Sequence, residues 1–270
     1  MIGRRRSSAV LRWLARLGLG LGLVTTLTSC PVLGSVPAVV APVVSAHAGD
    51  SRIRSDIRPA LLRRSVSGAA QNRGSVRVRR VREPGDVAHL NYCGPGATQV
   101  LLSAWLPTVP DLELIARRSK LNPKLGESGP DALIAINSFL NPIVIPVLAR
   151  PRYRPERVTT LTGVEDRIRH DILDGDAIRL FGHGAPVLVQ TMTGTMPGWN
   201  HWNATHMITI FAFDFSHKNP ALDTVTYVDT SSRLTGYAGR GVETISVKAL
   251  WAAMHAFLVQ APYDPVNVIS

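Results

Sequence analysis

One of the two cysteines, Cys93, stands directly before a Gly-Pro pair and a segment with helical periodicity. Proline in the first helical turn is pre-organised for the helix and loses no useful N–H group, so Pro95 predicts that a helix begins here. Cys93 then lies at the helix N-terminus, where unpaired N–H groups and the helix dipole favour a thiolate. A thiolate is the nucleophilic form of cysteine. The alternative is a small buried thiol that merely precedes a helix.

Two further residues can complete a cysteine site. A cysteine nucleophile needs a base that takes its proton and a third group that orients the base. His206 opens a predicted strand and Asp229 closes the next one. If these strands form a hairpin that turns at His217 and Lys218, His206 lies directly opposite Asp229, with Cβ atoms about 5 Å apart. Each residue alone has an ordinary explanation, as a core histidine or a turn aspartate, but together with Cys93 they predict a triad.

The elements that must position these residues follow a simple order. Apolar spacing and capping residues predict helices before the strands, and a last helix after them. This order indicates an α+β fold rather than a repeated βαβ unit. Beyond the helix at Cys93, the predicted helices are 110–119, 129–140, 164–180 and 248–258, and the predicted strands are 185–190, 205–215, 223–230 and 241–247.

Length and charge narrow the class of protein. The chain has 270 residues with 45% apolar composition, which is enough for one medium-sized domain plus extensions. The net charge of +11 is unevenly distributed: +5 in residues 1–48, +7 in residues 49–85 and −1 in residues 86–270. Because the predicted globular part is nearly neutral, a basic groove for nucleic acid is not expected.

Residues 1–48 have the pattern of an export signal. Arg4, Arg5 and Arg6 precede an apolar run over 17–27, which is short for a membrane span. Two cleavage sites compete. The small residues before Gly49 suit ordinary signal cleavage, whereas Leu27 to Cys30 resembles the lipobox of bacterial lipoproteins. We therefore expect an exported protein, either secreted or anchored to the cell envelope through a lipid on Cys30.

Residues 49–85 are rich in Arg, Ser and Gly and have no sustained apolar period. Like charge and low hydrophobicity predict a flexible linker or pro-segment. Such a basic segment could contact anionic polymers or lipids of the cell envelope. The predicted catalytic domain is then 86–270.

Four segments carry a resemblance to a known family. They are Tyr92 to Pro95, Gly184 to Val187, His206 to Thr209 and Tyr227 to Asp229. In this order they resemble the papain-like bacteriocin-processing cysteine peptidases (family thirty-nine) and their secreted single-domain relatives, over about 86–260. The Cys-Gly-Pro start is the most specific of the four.

The resemblance implies a papain-like fold with Cys93 as nucleophile, His206 as base and Asp229 as orienting group. The reaction would be acyl transfer to water through a thioester, usually on a peptide bond, with a peptide or protein as substrate. This chain has no ATP-binding P-loop and no transporter spans, so processing of leader peptides during export is not implied.

One departure from the family concerns the oxyanion. Its members carry a glutamine about six residues before the cysteine, where this chain has Val87. His89 and Asn91 are the substitutes that we consider, beside the backbone N–H of Cys93. Loss of one oxyanion donor typically lowers the rate by about 10²–10³. A weak or inactive papain-fold protein that binds envelope peptides or a partner, and a cysteine-dependent acyltransferase or amidase, therefore remain alternatives to a peptidase.

The loop over 191–203 holds the remaining candidate groups. Trp199, His201 and Trp202 are expected to form a wall of the substrate cleft or to cover the core. His201 and His206 are separated by four residues on an extended segment, which points them poorly at one ion, and no cysteine or carboxylate cluster joins them. We therefore expect no metal and no organic cofactor.

Overall fold

The computed structural model describes residues 71–200 and 202–270. The predicted export signal at 1–48, with Cys30, lies outside the described residues, and so do 49–70 of the predicted linker. His201 lies outside them as well.

The described chain forms helices followed by an antiparallel sheet, which confirms the predicted α+β class. Seven strands pair in the order β2-β7-β3-β4-β5-β6, and β1 pairs with the far end of β4. The strands are β1 (Arg73–Ser75), β2 (Pro155–Glu156), β3 (Val187–Met192), β4 (Thr205–Asp214), β5 (Thr224–Val228), β6 (Val242–Ser246) and β7 (Val268–Ile269).

Six α-helices accompany the sheet in the described part of the chain. They are α1 (Cys93–Leu102), α2 (Leu112–Ser119), α3 (Gly129–Leu148), α4 (Leu161–Ile172), α5 (Gly175–Phe181) and α6 (Val247–Gln260). The single helix predicted at 164–180 is wrong, because Asp174 accepts hydrogen bonds from the N–H groups of Asp176 and Ala177 and so starts α5. Helix α3 continues beyond the predicted end and includes Pro142 and Pro146.

Helix α3 is long and apolar enough to cross a membrane by length and composition. Helices in the cores of soluble proteins pass the same test, so this is weak evidence for a span.

The sheet is covered by helices on both faces. Along β3, Val187 and Val189 join the core beneath α4 and α6, whereas Leu188 joins the core beneath α1, α2 and α3. This alternation is the period of two that a strand imposes on its side chains. The centre of the sheet is therefore buried on both sides, and it holds β3 and β4 rigidly.

The predicted linker ends too late. Residues 73–75 pair with β4 as β1, Val76 is buried, and Glu83 is only 4% exposed. The N–H of Glu83 donates to the carbonyl of Thr230 at 2.7 Å. The segment 71–85 is thus part of the domain, because strand pairing and this bond hold its backbone despite the surrounding arginines.

The predicted hairpin register is also wrong. Thr209 pairs with Val228 and Ile210 with Tyr227, so β5 is shifted by two residues from the expected alignment, and a bulge follows between Ile210 and Ala212. Because side chains alternate with a period of two, a shift of two residues leaves the side chains of β4 up to Ile210, including His206, on the face that was expected, whereas beyond the bulge the shift is three residues.

Candidate active site

Cys93 is the first residue of α1, as the sequence predicted. Helix α1 packs on β4, where the buried Thr209 hydroxyl donates to the carbonyl of Ala97 at 2.7 Å. A Cβ atom at Gly96 would overlap the hydroxyl of Thr230, so this glycine lets the helix approach the chain after β5. The start of α1 is thereby fixed beside the ends of β4 and β5.

His206 lies between the other two members of the predicted triad. Its Nε2 is 3.1 Å from Oδ1 of Asp229 and 3.5 Å from Oγ of Ser231, and the Cys93 thiol lies close enough to the ring to affect its pKa. The imidazole is buried, which opposes its protonation. Asp229 and then Cys93 outweigh burial and raise the pKa of His206 well above its ordinary value. The site therefore favours an imidazolium at neutral pH.

Asp229 is fully buried and is surrounded by donors. Its Oδ1 accepts the backbone N–H of Ser231 at 3.0 Å as well as the imidazole, and its Oδ2 accepts the indole N–H of Trp199 at 2.9 Å. Burial alone would raise the pKa of Asp229, but His206 and these hydrogen bonds lower it overall. The Trp199 ring also packs edge-on against His206, with centroids 4.9 Å apart. The carboxylate is held ionised and in place.

A cavity of about 580 Å³ opens over Cys93 and His206. Its apolar lining includes Trp199 and Trp202, in agreement with the expected cleft wall. Trp202 is 62% exposed and stands at the rim. The other residues that line the cavity include Glu83, Asn91, Glu127, Gln190, Met207, Ser231, Arg233 and Leu234.

Of the two predicted oxyanion donors, one is engaged elsewhere. His89 places Nδ1 2.6 Å from Asp86 and Nε2 2.8 Å from Glu113, so both of its ring nitrogens face carboxylates, and it does not line the cavity. Asn91 lines the cavity, and one N–H of its amide donates to the carbonyl of Pro123 at 2.7 Å, which leaves its second N–H without a partner among the described residues. The His89 assignment is therefore corrected, and Asn91 stays a candidate donor.

Sequence reasoning missed two acids of the cavity. Glu83 stands in a run of arginines that reads as a solvated segment. Glu127 follows Gly126 in a polar loop, yet its carboxyl packs against Gly94 so closely that a Cβ atom there would overlap it. Both glutamates are brought to Cys93 by contacts distant in sequence. Gly126 itself, with φ of +84°, marks the turn that directs Glu127 inward.

No group of three or more His, Cys, Asp or Glu side chains within 71–200 and 202–270 is placed to hold a metal ion. The chemistry available at this site is that of the thiol, the imidazole and the carboxyl groups. Comparison with profiles of known protein families gives no match, and a search of curated proteins finds no similar sequence.

Proposed function

We propose that this protein is an exported cysteine hydrolase with a papain-like fold, which cleaves peptide bonds through a thioester. The observation that carries the proposal is the buried His206 imidazole, with the Cys93 thiol on one side and the Asp229 carboxylate on the other. A nucleophile, a base and an orienting acid in this order are the arrangement that acyl transfer requires.

In the proposed reaction His206 draws the proton from Cys93, and the thiolate attacks the carbonyl carbon of the substrate. The carbonyl π pair moves to oxygen, and the backbone N–H of Cys93 at the start of α1 donates to that oxyanion. The C–N bond then breaks as the imidazolium gives its proton to the leaving amine. Water, deprotonated by neutral His206, attacks the thioester, and the acid product leaves as the thiolate re-forms. Asp229 keeps the ring oriented throughout.

The cavity supports a peptide as substrate. Its wall combines large apolar side chains, such as Trp199, Met207 and Leu234, with the charged groups Glu83 and Arg233. A mixed apolar and polar lining of this kind suits a chain of side chains and amides. Transfer of the acyl group to an amine instead of water uses the same residues, and product analysis with added amines distinguishes the two reactions.

The first test is alkylation of Cys93 by iodoacetamide in the full-length chain, between pH 5 and 9. The labelled peptide is identified by mass spectrometry, so that Cys30 does not contribute, and N-acetylcysteine is the reference thiol. We expect Cys93 to label rapidly below neutral pH, where the reference thiol is nearly unreactive, because the imidazolium stabilises the thiolate. The His206→Ala variant should lose this labelling.

The matched control is His255→Ala, which removes an exposed imidazole on α6. It should label like the parent protein. If Cys93 labels like the reference thiol and does so equally in the His206→Ala variant, the catalytic proposal fails. The domain would then be a papain-fold binding protein.

A further inference from the structure

Glu83 is a buried acid that the proposed triad does not use. It lines the same cavity as Cys93 and His206 and is only 4% exposed. Two contacts with Thr230 fix it there. The backbone N–H of Glu83 donates to the Thr230 carbonyl at 2.7 Å, and the Thr230 hydroxyl donates to Oε1 of Glu83 at 2.7 Å. Since Thr230 follows Asp229 directly, Glu83 is anchored to the residue beside the triad acid.

The two oxygens of this carboxyl differ. Oε1 accepts from Thr230, whereas Oε2 of Glu83 forms no hydrogen bond with any residue that the structure describes. An acid that lines a cavity beside a nucleophile, with one oxygen held and one uncommitted, is suited to act on a bound ligand.

The charges around Glu83 decide its protonation. Burial is the largest influence and raises its pKa, and the Asp229 carboxylate raises it further. The Thr230 hydroxyl, His206 and His89 lower it by less, so the pKa of Glu83 is raised overall. The cavity also holds the Cys93 sulfur, Glu127 and Arg233. Glu83 thus keeps its proton to a higher pH than an ordinary glutamate does.

The proposed reaction needs a second donor to the oxyanion. The amide of Gln190, another candidate in the cavity, donates to Asp264 at 3.0 Å and to the Val266 carbonyl at 2.5 Å. His89 has both ring nitrogens against carboxylates, whereas Asn91 keeps one free amide N–H, so it is the alternative donor from which the Glu83 variants must be distinguished. A protonated carboxyl group in an apolar site can donate to an oxyanion in the way that an amide does.

We infer that Glu83, in its acid form, is the oxyanion donor that acts together with the backbone N–H of Cys93. This inference rests on the proposed function. When the thiolate adds to the carbonyl carbon, the Glu83 O–H donates a hydrogen bond to the new oxyanion and keeps its own proton. When the C–N bond breaks, the electron pair returns to the carbonyl and that hydrogen bond weakens.

The inference predicts a definite pH dependence. Stabilisation of the oxyanion is present below the pKa of Glu83 and is lost as the pH rises through it, because an ionised carboxylate repels the oxyanion. His206 stays protonated to a pH well above its ordinary range. The parent protein should therefore lose this stabilisation as Glu83 ionises, whereas the Glu83→Gln variant, whose amide does not ionise, should retain it at higher pH.

The test is reversible binding of the peptide aldehyde acetyl-leucyl-leucyl-argininal to the full-length chain, measured by protection of Cys93 from iodoacetamide. The aldehyde and the thiol form a hemithioacetal, whose oxygen occupies the oxyanion position. On the acid side of the parent's pH profile, where Glu83 holds its proton, we expect the Glu83→Ala variant to bind it about 10²–10³-fold more weakly than the parent. The Glu83→Gln variant should bind within about 10-fold of the parent and retain its affinity at higher pH.

Glu165→Gln is the matched control, because Glu165 on α4 also has a pKa raised by burial but lies outside the cavity. It should leave both affinity and pH profile unchanged. The inference is overturned if Glu83→Ala binds the aldehyde like the parent, if Glu83→Gln and Glu83→Ala weaken it equally, or if the parent forms no adduct. Alkylation of Cys93 does not pass through an oxyanion, so its dependence on His206 tests the proposed function separately.

Discussion

Three buried carboxyl groups at or near the cavity have pKa values shifted in different directions: one is lowered and two are raised. Asp229 accepts three hydrogen bonds, from an imidazole, an indole and a backbone N–H, and its pKa is lowered. Glu83 accepts one, from a threonine hydroxyl, and its pKa is raised. Glu127 has two buried oxygens without a partner among the described residues, and burial raises its pKa to about 8. The Ser119 hydroxyl, which could donate to Glu127, donates to the carbonyl of Ala116.

The comparison shows that the number of donors, more than burial itself, separates the roles of these acids. Burial favours the neutral form of each carboxyl, and only donors and a cationic neighbour reverse it. When two acids in one site have pKa values shifted in opposite directions, one stays ionised and can orient the base, and the other keeps its proton. Asp229 has the environment of the ionised acid, and Glu83 has the environment of the protonated acid.

The Asp229→Ala variant removes the carboxyl group that is held ionised, and it should have the largest effect of these variants. It leaves a buried imidazolium without its partner, and breaking a buried pair in this way costs about 3–5 kcal/mol of stability. Peptidase activity should fall by at least about 10²-fold, since the ring loses its orientation. Urea unfolding and kcat/KM measure the two effects. The Asp229→Asn variant keeps an acceptor but loses the charge, so stability and activity equal to those of the parent would refute the electrostatic role.

The Trp199→Phe variant removes one donor from Asp229 while keeping an aromatic ring. A hydrogen bond to a charged group contributes about 1.5–3 kcal/mol, so the free energy of unfolding at pH 7 should fall by about 2 kcal/mol. Because the pKa of Asp229 is lowered by folding, its contribution is present above the unfolded pKa and is lost as the pH falls through the folded one. With one donor removed, the loss should begin at a higher pH.

Urea unfolding between pH 7 and pH 3 measures this change. Trp202→Phe, at the exposed rim of the same cavity, is the control and should leave the curve unchanged. If both variants behave alike, the indole of Trp199 contributes only packing.

The features of this site that could be predicted are those determined by residues close together in the sequence. Cys93 and the start of α1 follow from the Cys-Gly-Pro stretch itself, and the face of His206 follows from strand alternation. The environment of Glu83 does not, because it arises from pairing with Thr230, nearly the whole domain away in sequence. A run of arginines around Glu83 gave the opposite signal, that of a solvated linker.

The His89 assignment and the register failed because their causes are not local patterns. His89 is occupied by Asp86 and Glu113. The tight turn expected at His217 and Lys218 is a longer connection between Asp214 and Thr224 that contains a short 3-10 helix, and it sets the pairing of β4 with β5. The fold class survived these errors because it depends on the order and type of elements and not on individual partners.

The Glu127→Gln variant tests the carboxyl that has no donors. The pKa of Glu127 is about 8 in the folded protein, against an ordinary value of 4.5. Between these values the unfolded chain ionises while the folded one holds its proton, so stability declines by up to about 1.4 kcal/mol per pH unit. Removing the charge should raise the free energy of unfolding at pH 7 by about 1–2 kcal/mol and flatten its decline between pH 5 and 8. A lower stability at pH 7 would show that Glu127 is satisfied by a partner.

The Thr230→Val variant removes the single side-chain donor of Glu83 at constant shape, and should have the smallest effect. One such hydrogen bond contributes about 1 kcal/mol. Because the Thr230 hydroxyl lowers the pKa of Glu83, its loss should move the alkaline limit of aldehyde binding upward. Thr226→Val, which breaks a hydroxyl pair with Thr244 on the exposed side of the sheet, is the control. An unchanged alkaline limit in the Thr230→Val variant would mean that ionisation of Glu83 does not set that limit.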